Sequence, residues 1–382
     1  MIYLDNNATT RLDPRVLEAM MPFLTDEYAN AASTHPFGVR AHEAVKLARQ
    51  QVAALLGCET HELVFTSGAT EAINLAIKGV VENYANRGKH IVTVQTEHTA
   101  VLDVCRYLEA HGCEVTYLPV QPDGLLDLSV IKQAIRADTS LVSVMVVNNE
   151  TGVIQPIQEI AELAHAAGAL FMTDATQAVG KMSLNVEKLN IDLLTFSGHK
   201  LYGPKGVGGL YVRQRRPRRV KLEALLHGGG HERGFRSGTL NVPGIVGLGQ
   251  AAELCRQAMT GEATRIEALR DELEAGLLTI PGTRVNGNRQ HRLYSTTNIL
   301  FESCDSDAMI MGLEGIAVSN GSACTAASVD PSHVLLAMGL NETGAFWCLR
   351  FSLGRFSKAE ELAAIQTLVV EVVRKLRTFV VA

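Results

Sequence analysis

The sequence predicts an α/β protein: a large domain on a mainly parallel sheet covered on both faces, joined to a smaller α+β domain. Three observations carry this. Short apolar runs alternate with helix-like segments through the first two thirds of the chain. Most of those runs are continuously apolar rather than alternating, as strands buried on both faces are. After about Met259 the pattern changes to a charged helix, shorter strands and a terminal amphipathic helix. The expected division is a large domain at 12–258 and a small domain made of 1–11 and 259–382.

The elements follow in order. Asp13-Pro14 opens a helix as cap and first-turn proline. Residues 38–56 read as a long amphipathic helix, and 63–65 as a short strand. That strand runs into Ser67-Gly68-Ala69-Thr70 and a helix whose apolar positions Ile73, Ala76, Ile77, Val80, Val81 and Tyr84 fit a period of 3.6. Further strands are expected at 91–94, 115–120, 141–147, 170–173, 193–196 and 210–212. In the second part, a helix at 265–278 precedes strands near 298–301, 316–318 and 349–352. The terminal helix places Leu362, Ile365, Val369, Val372 and Leu376 on one face.

Composition narrows the function classes. The chain has 382 residues, 47% hydrophobic and 20% charged, which is enough apolar material for a large core. A formal charge of −5 gives no reason to expect nucleic acid or an anionic membrane as a partner. The longest apolar run, 141–147, is too short to span a bilayer. Met1-Ile2-Tyr3-Leu4-Asp5 does not read as a leader peptide. Seven cysteines, odd in number, irregularly spaced and without a C-x-x-C pair, argue against a metal site and suggest a reducing cytoplasm. The basic run Arg213-Gln214-Arg215-Arg216-Pro217-Arg218-Arg219 reads as a solvated loop, with a docking patch for an acidic partner or RNA as the lesser alternative.

Chemistry concentrates at strand ends. Ser197-Gly198-His199-Lys200 follows a strand and precedes a glycine-rich turn. Taken alone, the motif favours an ordinary surface lysine at Lys200 over a Schiff-base lysine. Asp174, at the end of an earlier strand, either caps the next segment or pairs with a protonated ring nitrogen of a cofactor. Ser67-Gly68-Ala69-Thr70 is a plain helix start or a phosphate cradle. His98 caps a helix or stacks on a ring. The tracts Gly203–Gly209 and Gly228–Gly234 lack the strand-then-helix frame of a dinucleotide fingerprint, which disfavours a nicotinamide enzyme. Cys324 sits in Ser319-Asn320-Gly321-Ser322-Ala323-Cys324-Thr325-Ala326-Ala327-Ser328, a run of small residues that suits a mobile loop with an accessible thiol, or a buried cysteine in a tight turn.

Together these stretches, with Tyr3-Leu4-Asp5-Asn6-Asn7-Ala8-Thr9-Thr10, Asn148-Asn149-Glu150-Thr151-Gly152 and Arg236-Ser237-Gly238-Thr239, resemble the cysteine desulfurases of the aminotransferase-like pyridoxal-phosphate superfamily. The resemblance runs nearly end to end, and the Ser-Ala-Cys-Thr stretch is similar to the long-loop branch of housekeeping and nitrogen-fixation desulfurases. It implies a class-V aminotransferase-like fold and pyridoxal 5′-phosphate as cofactor. Lys200 would hold the cofactor covalently, Asp174 pair with its pyridine nitrogen, Gln177 contact the ring oxygen, and His98 stack on the ring and shuttle protons. Ala69, Thr70, Ser197 and His199 would hold the phosphate, with Thr239 reaching in from the other subunit of a homodimer. Asn149 and Arg350 would bind the carboxylate of L-cysteine. Cys324 would take the sulfur as a persulfide, release L-alanine and pass the sulfur to an acceptor protein. Ile73 departs from the polar residue common in relatives. The chain stops at Ala382, before the tail with which relatives dock the iron–sulfur scaffold, so tRNA thiolation and DNA phosphorothioation stay open beside iron–sulfur cluster assembly. Alternatives are a selenocysteine lyase or aminotransferase of the same fold, and a non-catalytic sulfur carrier or scaffold. Lys200, Asp174 and Arg350 together argue against the last.

Overall fold

A computed structural model describes residues 1–321 and 330–380. The first part of the chain forms β1 (Ile2–Tyr3), α1 (Pro14–Thr25), α2 (Pro36–Leu56), β2 (Leu63–Thr66), α3 (Ala69–Asn83), β3 (His90–Val94), α4 (Thr99–Glu109), β4 (Glu114–Leu118), α5 (Leu128–Ala134), β5 (Thr139–Ser143), α6 (Ile157–Ala166), β6 (Leu170–Asp174), β7 (Leu193–Ser197) and β8 (Gly208–Val212). The long α7 (Val242–Leu277) leads into β9 (Thr283–Asn286), β10 (Thr296–Phe301), α8 (Ser306–Gly312), β11 (Ile316–Ala317), α9 (His333–Ala337), α10 (Glu342–Ala345), β12 (Cys348–Ser352) and α11 (Leu362–Val380).

The main sheet has seven strands in the order β2-β8-β7-β6-β5-β3-β4. Its pairings from β4 to β7 are parallel, and β8 runs antiparallel to both of its neighbours. Neighbouring residues on one strand serve opposite cores. Val142 and Leu194 join α2, α6 and α7 in one cluster, while Leu141 and Leu193 join α3 and α4 in another. All four are fully buried, which is why these strands read as continuous apolar runs. A third cluster unites Leu4, the second half of α7, β10, β12 and α11. The antiparallel sheet β12-β10-β9 and the β1–β11 pair belong to this smaller part of the fold.

Three expectations are corrected. The helix anticipated at 265–278 begins at Val242, so the 258/259 division falls inside α7 rather than at a break. Glycines hid its first half, because glycine weakens a helical signal. In the folded chain the small residue allows close packing: a Cβ on Gly249 would lie 2.5 Å from Ala48 Cα on α2. The strand anticipated at 141–147 ends at Ser143. Beyond it the chain still bonds to the neighbouring strand, Val144 N to Met172 O and Val146 N to Asp174 O, but Val147 then bridges back to Ile154. The basic run is also less solvated than expected. Arg213 is buried beside Asp192, and Arg215 bonds to Glu62, whose side chain is wholly buried, and to Glu187.

Gly208, at the start of β8, packs against the turn before α3. A Cβ there would lie 2.5 Å from Phe196 O and 2.7 Å from Gly68 Cα, both backbone atoms that cannot turn aside. Gly208→Ala is therefore expected to cost about 1–3 kcal/mol of stability, as overpacked positions do. A lower denaturant midpoint checks this, and an unchanged midpoint would mean the turn gives way freely.

Candidate active site

The parallel strands deliver their C-terminal ends to one edge of the sheet, where open α/β sheets place ligand sites. β3 leads to His98, β5 to Asn149, β6 ends on Asp174, and β7 leads to Lys200. They meet α3 and Arg350 of β12 around a cavity of about 470 Å³. Of the residues expected at a site, Ala69, Thr70, His98, Asn149, Asp174, Gln177, Ser197, His199, Lys200 and Arg350 all line it. Thr239 does not, and is exposed. Cys324 and the loop expected around it lie outside the described residues.

Local folding explains each placement. The 15-residue α3 starts at Ala69, so the positive end of its dipole faces the cavity from Ser67-Gly68-Ala69-Thr70. Glu71 braces that turn, accepting from Ser67 N at 2.7 Å and pairing with Arg236 at 2.8 Å. His98 caps α4, its Nδ1 accepting from Ala100 N at 3.1 Å, and the residue also lines the cavity. Asp174 is also two things at once. Its carboxylate accepts from Thr176 N at 2.9 Å and from the Thr176 hydroxyl, and it lines the cavity while almost wholly buried.

The N-terminal segment contributes more than its sequence suggested. Lys200 Nζ donates to the carbonyls of Asn7 and, at 2.7 Å, Ala8. Gln177 Nε2 donates to the same Asn7 carbonyl at 2.8 Å. Asp5 accepts from Arg350 Nη2 at 2.7 Å, and Asn149 O accepts from Nη1 at 2.9 Å. Asn7, Asp5, Lys181 and Glu97 were not singled out for roles from sequence. The Asp-Asn-Asn-Ala-Thr-Thr stretch was a signal for the first two, but nothing in a linear pattern shows which loops it touches.

Several groups there are held away from their usual ionisation. His199 is pushed down to about 4, first by burial and then by the charges of Lys200, Lys205 and Lys181, which makes it a neutral ring near pH 7. Its Nδ1 lies 3.0 Å from Thr9 Oγ1. Glu97 is raised well above the carboxylate range, chiefly by complete burial, with the nearby charge of Asp174 adding to the effect. Among the described residues, three buried polar atoms of the cavity lining have no partner: Asn7 Oδ1, Asn149 Oδ1 and Arg350 Nε. Unpaired buried groups are costly and mark a place prepared for a polar ligand.

A family model for class-V aminotransferases matches residues 2–365. The chain belongs to the aminotransferase class-V family. Its curated relatives include the cysteine desulfurase IscS of Anaeromyxobacter dehalogenans (strain 2CP-C), 54% identical over 378 residues, covering 98% of this chain and 93% of that one. The cysteine desulfurase IscS of Actinobacillus succinogenes is 54% identical over 379 residues, with the same coverage. Among solved structures, a NifS-like protein superposes with a TM-score of 0.92 at 38% identity, covering 98% of this chain and 99% of its own. A structure described as SspA in complex with cysteine gives 0.83 at 38% identity, covering 94% and 100%.

The cofactor of this member of the aminotransferase class-V family is pyridoxal 5′-phosphate, and the cavity fits it. It offers a lysine amine for the aldehyde, a buried carboxylate for the pyridine nitrogen, and a helix N-terminus with hydroxyls for the phosphate.

Glu97 gives this site a pH signature. Its folded pKa lies above the ordinary 4.5. Below about pH 4.5 folded and unfolded chains both keep the proton. As pH rises toward the folded value the unfolded chain releases its proton first, and stability falls by up to about 1.4 kcal/mol per unit. Glu97→Gln cannot ionise, so its stability relative to the natural chain should rise as pH climbs above about 4.5 in denaturant titrations. A pH-independent difference would show that Glu97 is charged in the folded state.

Proposed function

We propose that this chain is a pyridoxal-phosphate-dependent cysteine desulfurase, which converts L-cysteine to L-alanine and leaves the sulfur as a persulfide on Cys324. The observation that carries this reading is the convergence of a lysine amine, a buried carboxylate and an arginine on one cavity. When bound, the cofactor supplies an aldehyde for amines and a ring that stores the electron pair left at the substrate Cα.

The chain's own residues do the rest. Arg350 and Asn149 hold the substrate carboxylate, using the guanidinium edge whose Nε is buried and unpartnered. Asp174 keeps the pyridine nitrogen protonated, and Gln177 contacts the ring oxygen. Lys200 Nζ would hold the cofactor's aldehyde and, when free, would serve as the base for the Cα proton. His98 stacks on the ring and shuttles protons. Ala69, Thr70, Ser197 and His199 hold the phosphate. The Cys324 thiolate attacks the substrate sulfur; the C–S bond breaks toward carbon, which takes a proton as alanine forms.

The remaining cysteines support Cys324 as the sulfur acceptor. Burial pushes Cys58, Cys105 and Cys348 up to about 12 and Cys255 to about 11, and raises Cys113 and Cys304 as well. Such thiols are poor nucleophiles near neutral pH. The persulfide sulfur then passes to an acceptor protein, with the cytoplasm as the setting. No helix among the described residues is long and apolar enough to cross a membrane. We also take the working form to be a homodimer, with Thr239 serving the partner's phosphate. Thr239 lies outside its own cavity wall, and Leu17, Met21, Leu24 and Tyr28, on and just after α1, are exposed, as is Phe37 of α2. The division into 12–258 and 1–11 with 259–382 belongs to the same reading, with α7 shared by both parts.

Two experiments test the assignment. Lys200→Ala should abolish both turnover and the visible absorbance of bound cofactor, whereas Cys324→Ser should keep that absorbance, still bind cysteine and form no persulfide. Sulfur release by either variant at a near-normal rate would sink these roles, and release by the second would favour a lyase that needs no cysteine. Arg350→Ala should raise KM for cysteine about ten- to a hundredfold, the worth of a charge-assisted hydrogen bond, with the cofactor still bound. An unchanged KM and rate would remove Arg350 from the site.

A further inference from the structure

The bonds around Gln177 include an amine that this scheme leaves unused. Lys181 is only 5% exposed, and it does not line the cavity. Its Nζ donates to Gln177 Oε1 at 2.8 Å. Gln177 Nε2 donates in turn to the Asn7 carbonyl at 2.8 Å, the carbonyl that also accepts from Lys200. An ammonium or amine N–H must face an acceptor, and a peptide carbonyl accepts but never donates. Between them, Lys181 and Asn7 determine which way the Gln177 amide faces. The second Nε2 hydrogen is left for whatever occupies the cavity.

A lysine is an expensive choice at this position. Among its neighbours Lys200, of its own sign, acts on it most, followed by the Cys255 thiol on α7 acting the other way and then by Arg350, again of its own sign. Burial, followed by Lys200, brings it down to about 7. An apolar side chain of similar length would fill the same volume without burying a polar head. Packing alone therefore does not account for Lys181, whereas its bond to Gln177 does.

We propose that Lys181 is a positioning residue for the cofactor: it holds the Gln177 amide with Nε2 presented to the ring oxygen of pyridoxal phosphate. This rests on the functional reading above, because the Gln177 contact belongs to that reading. Lys181 acts through Gln177 and touches neither cofactor nor substrate.

A double-mutant cycle tests it by cofactor titration and by the stability of the cofactor-free chain. Lys181→Met should weaken pyridoxal phosphate binding about tenfold while the denaturant midpoint of the cofactor-free protein stays level or rises. Lys181→Gln, which keeps a donor, should recover most of the affinity. On a Gln177→Ala background, Lys181→Met should change affinity less than about twofold, because the residue through which it acts is gone. Equal losses on both backgrounds, an unchanged affinity in Lys181→Met, or a fall in affinity matched by a fall in the cofactor-free midpoint would overturn the proposal. If the natural chain itself takes up no pyridoxal phosphate, the functional reading fails instead.

Discussion

The carbonyl of Asn7 is the point through which the site is held together. It accepts from Lys200 and from Gln177, while the Asn7 side chain donates to Asn149 O and Thr296 Oγ1, both at 3.0 Å. Its backbone N–H is taken by Ser352 Oγ at 3.0 Å. One residue thus ties the ends of β6 and β7 in the large sheet to β10 and β12 in the small one. The short N-terminal segment runs between the two cores, and neither half could set the position of the Lys200 amine alone.

Around that point the protein accepts groups it would be more stable without. Lys181 sits near Lys200 and Arg350, charges of its own sign, burial raises the Glu97 carboxyl well above its ordinary value, and Arg350 Nε has no partner among the described residues. Elsewhere in the described structure buried charges find opposite ones. Arg292 and Glu274 are both about 2% exposed and lie 2.7 Å apart. Arg355 joins Asp13 at the cap of α1 to Glu262 on α7. Of the buried polar atoms without a partner among the described residues, Asn7 Oδ1, Asn149 Oδ1 and Arg350 Nε belong to residues that line the cavity, where ligand chemistry takes precedence over stability.

Much of this was legible in order along the chain. Asp13-Pro14 does open a helix, and strand ends do carry Asp174 and Lys200, because caps, prolines and apolar runs act locally. The first half of α7 was not legible, since its glycines lower helix propensity locally and are explained by a distant partner, Ala48. The basic run was misjudged for a similar reason. A charge looks solvated until the buried carboxylates Asp192 and Glu62 are seen beside it.

By itself the sequence determined the fold class, the residue types a pyridoxal-phosphate site needs, and their order at strand ends. The fold class follows from periodicity, a property of neighbours in the chain, and the site residues follow from the resemblance of the ordered motifs to a family. Only the tertiary structure decided that His98 and Asp174 serve as caps and cavity wall together, that Asp5 faces Arg350, and that Lys181 stands behind Gln177. Those facts depend on contacts between residues as far apart as Asp5 and Arg350 in sequence. Burial and electrostatic environment arise only when such segments meet, so no local pattern encodes them.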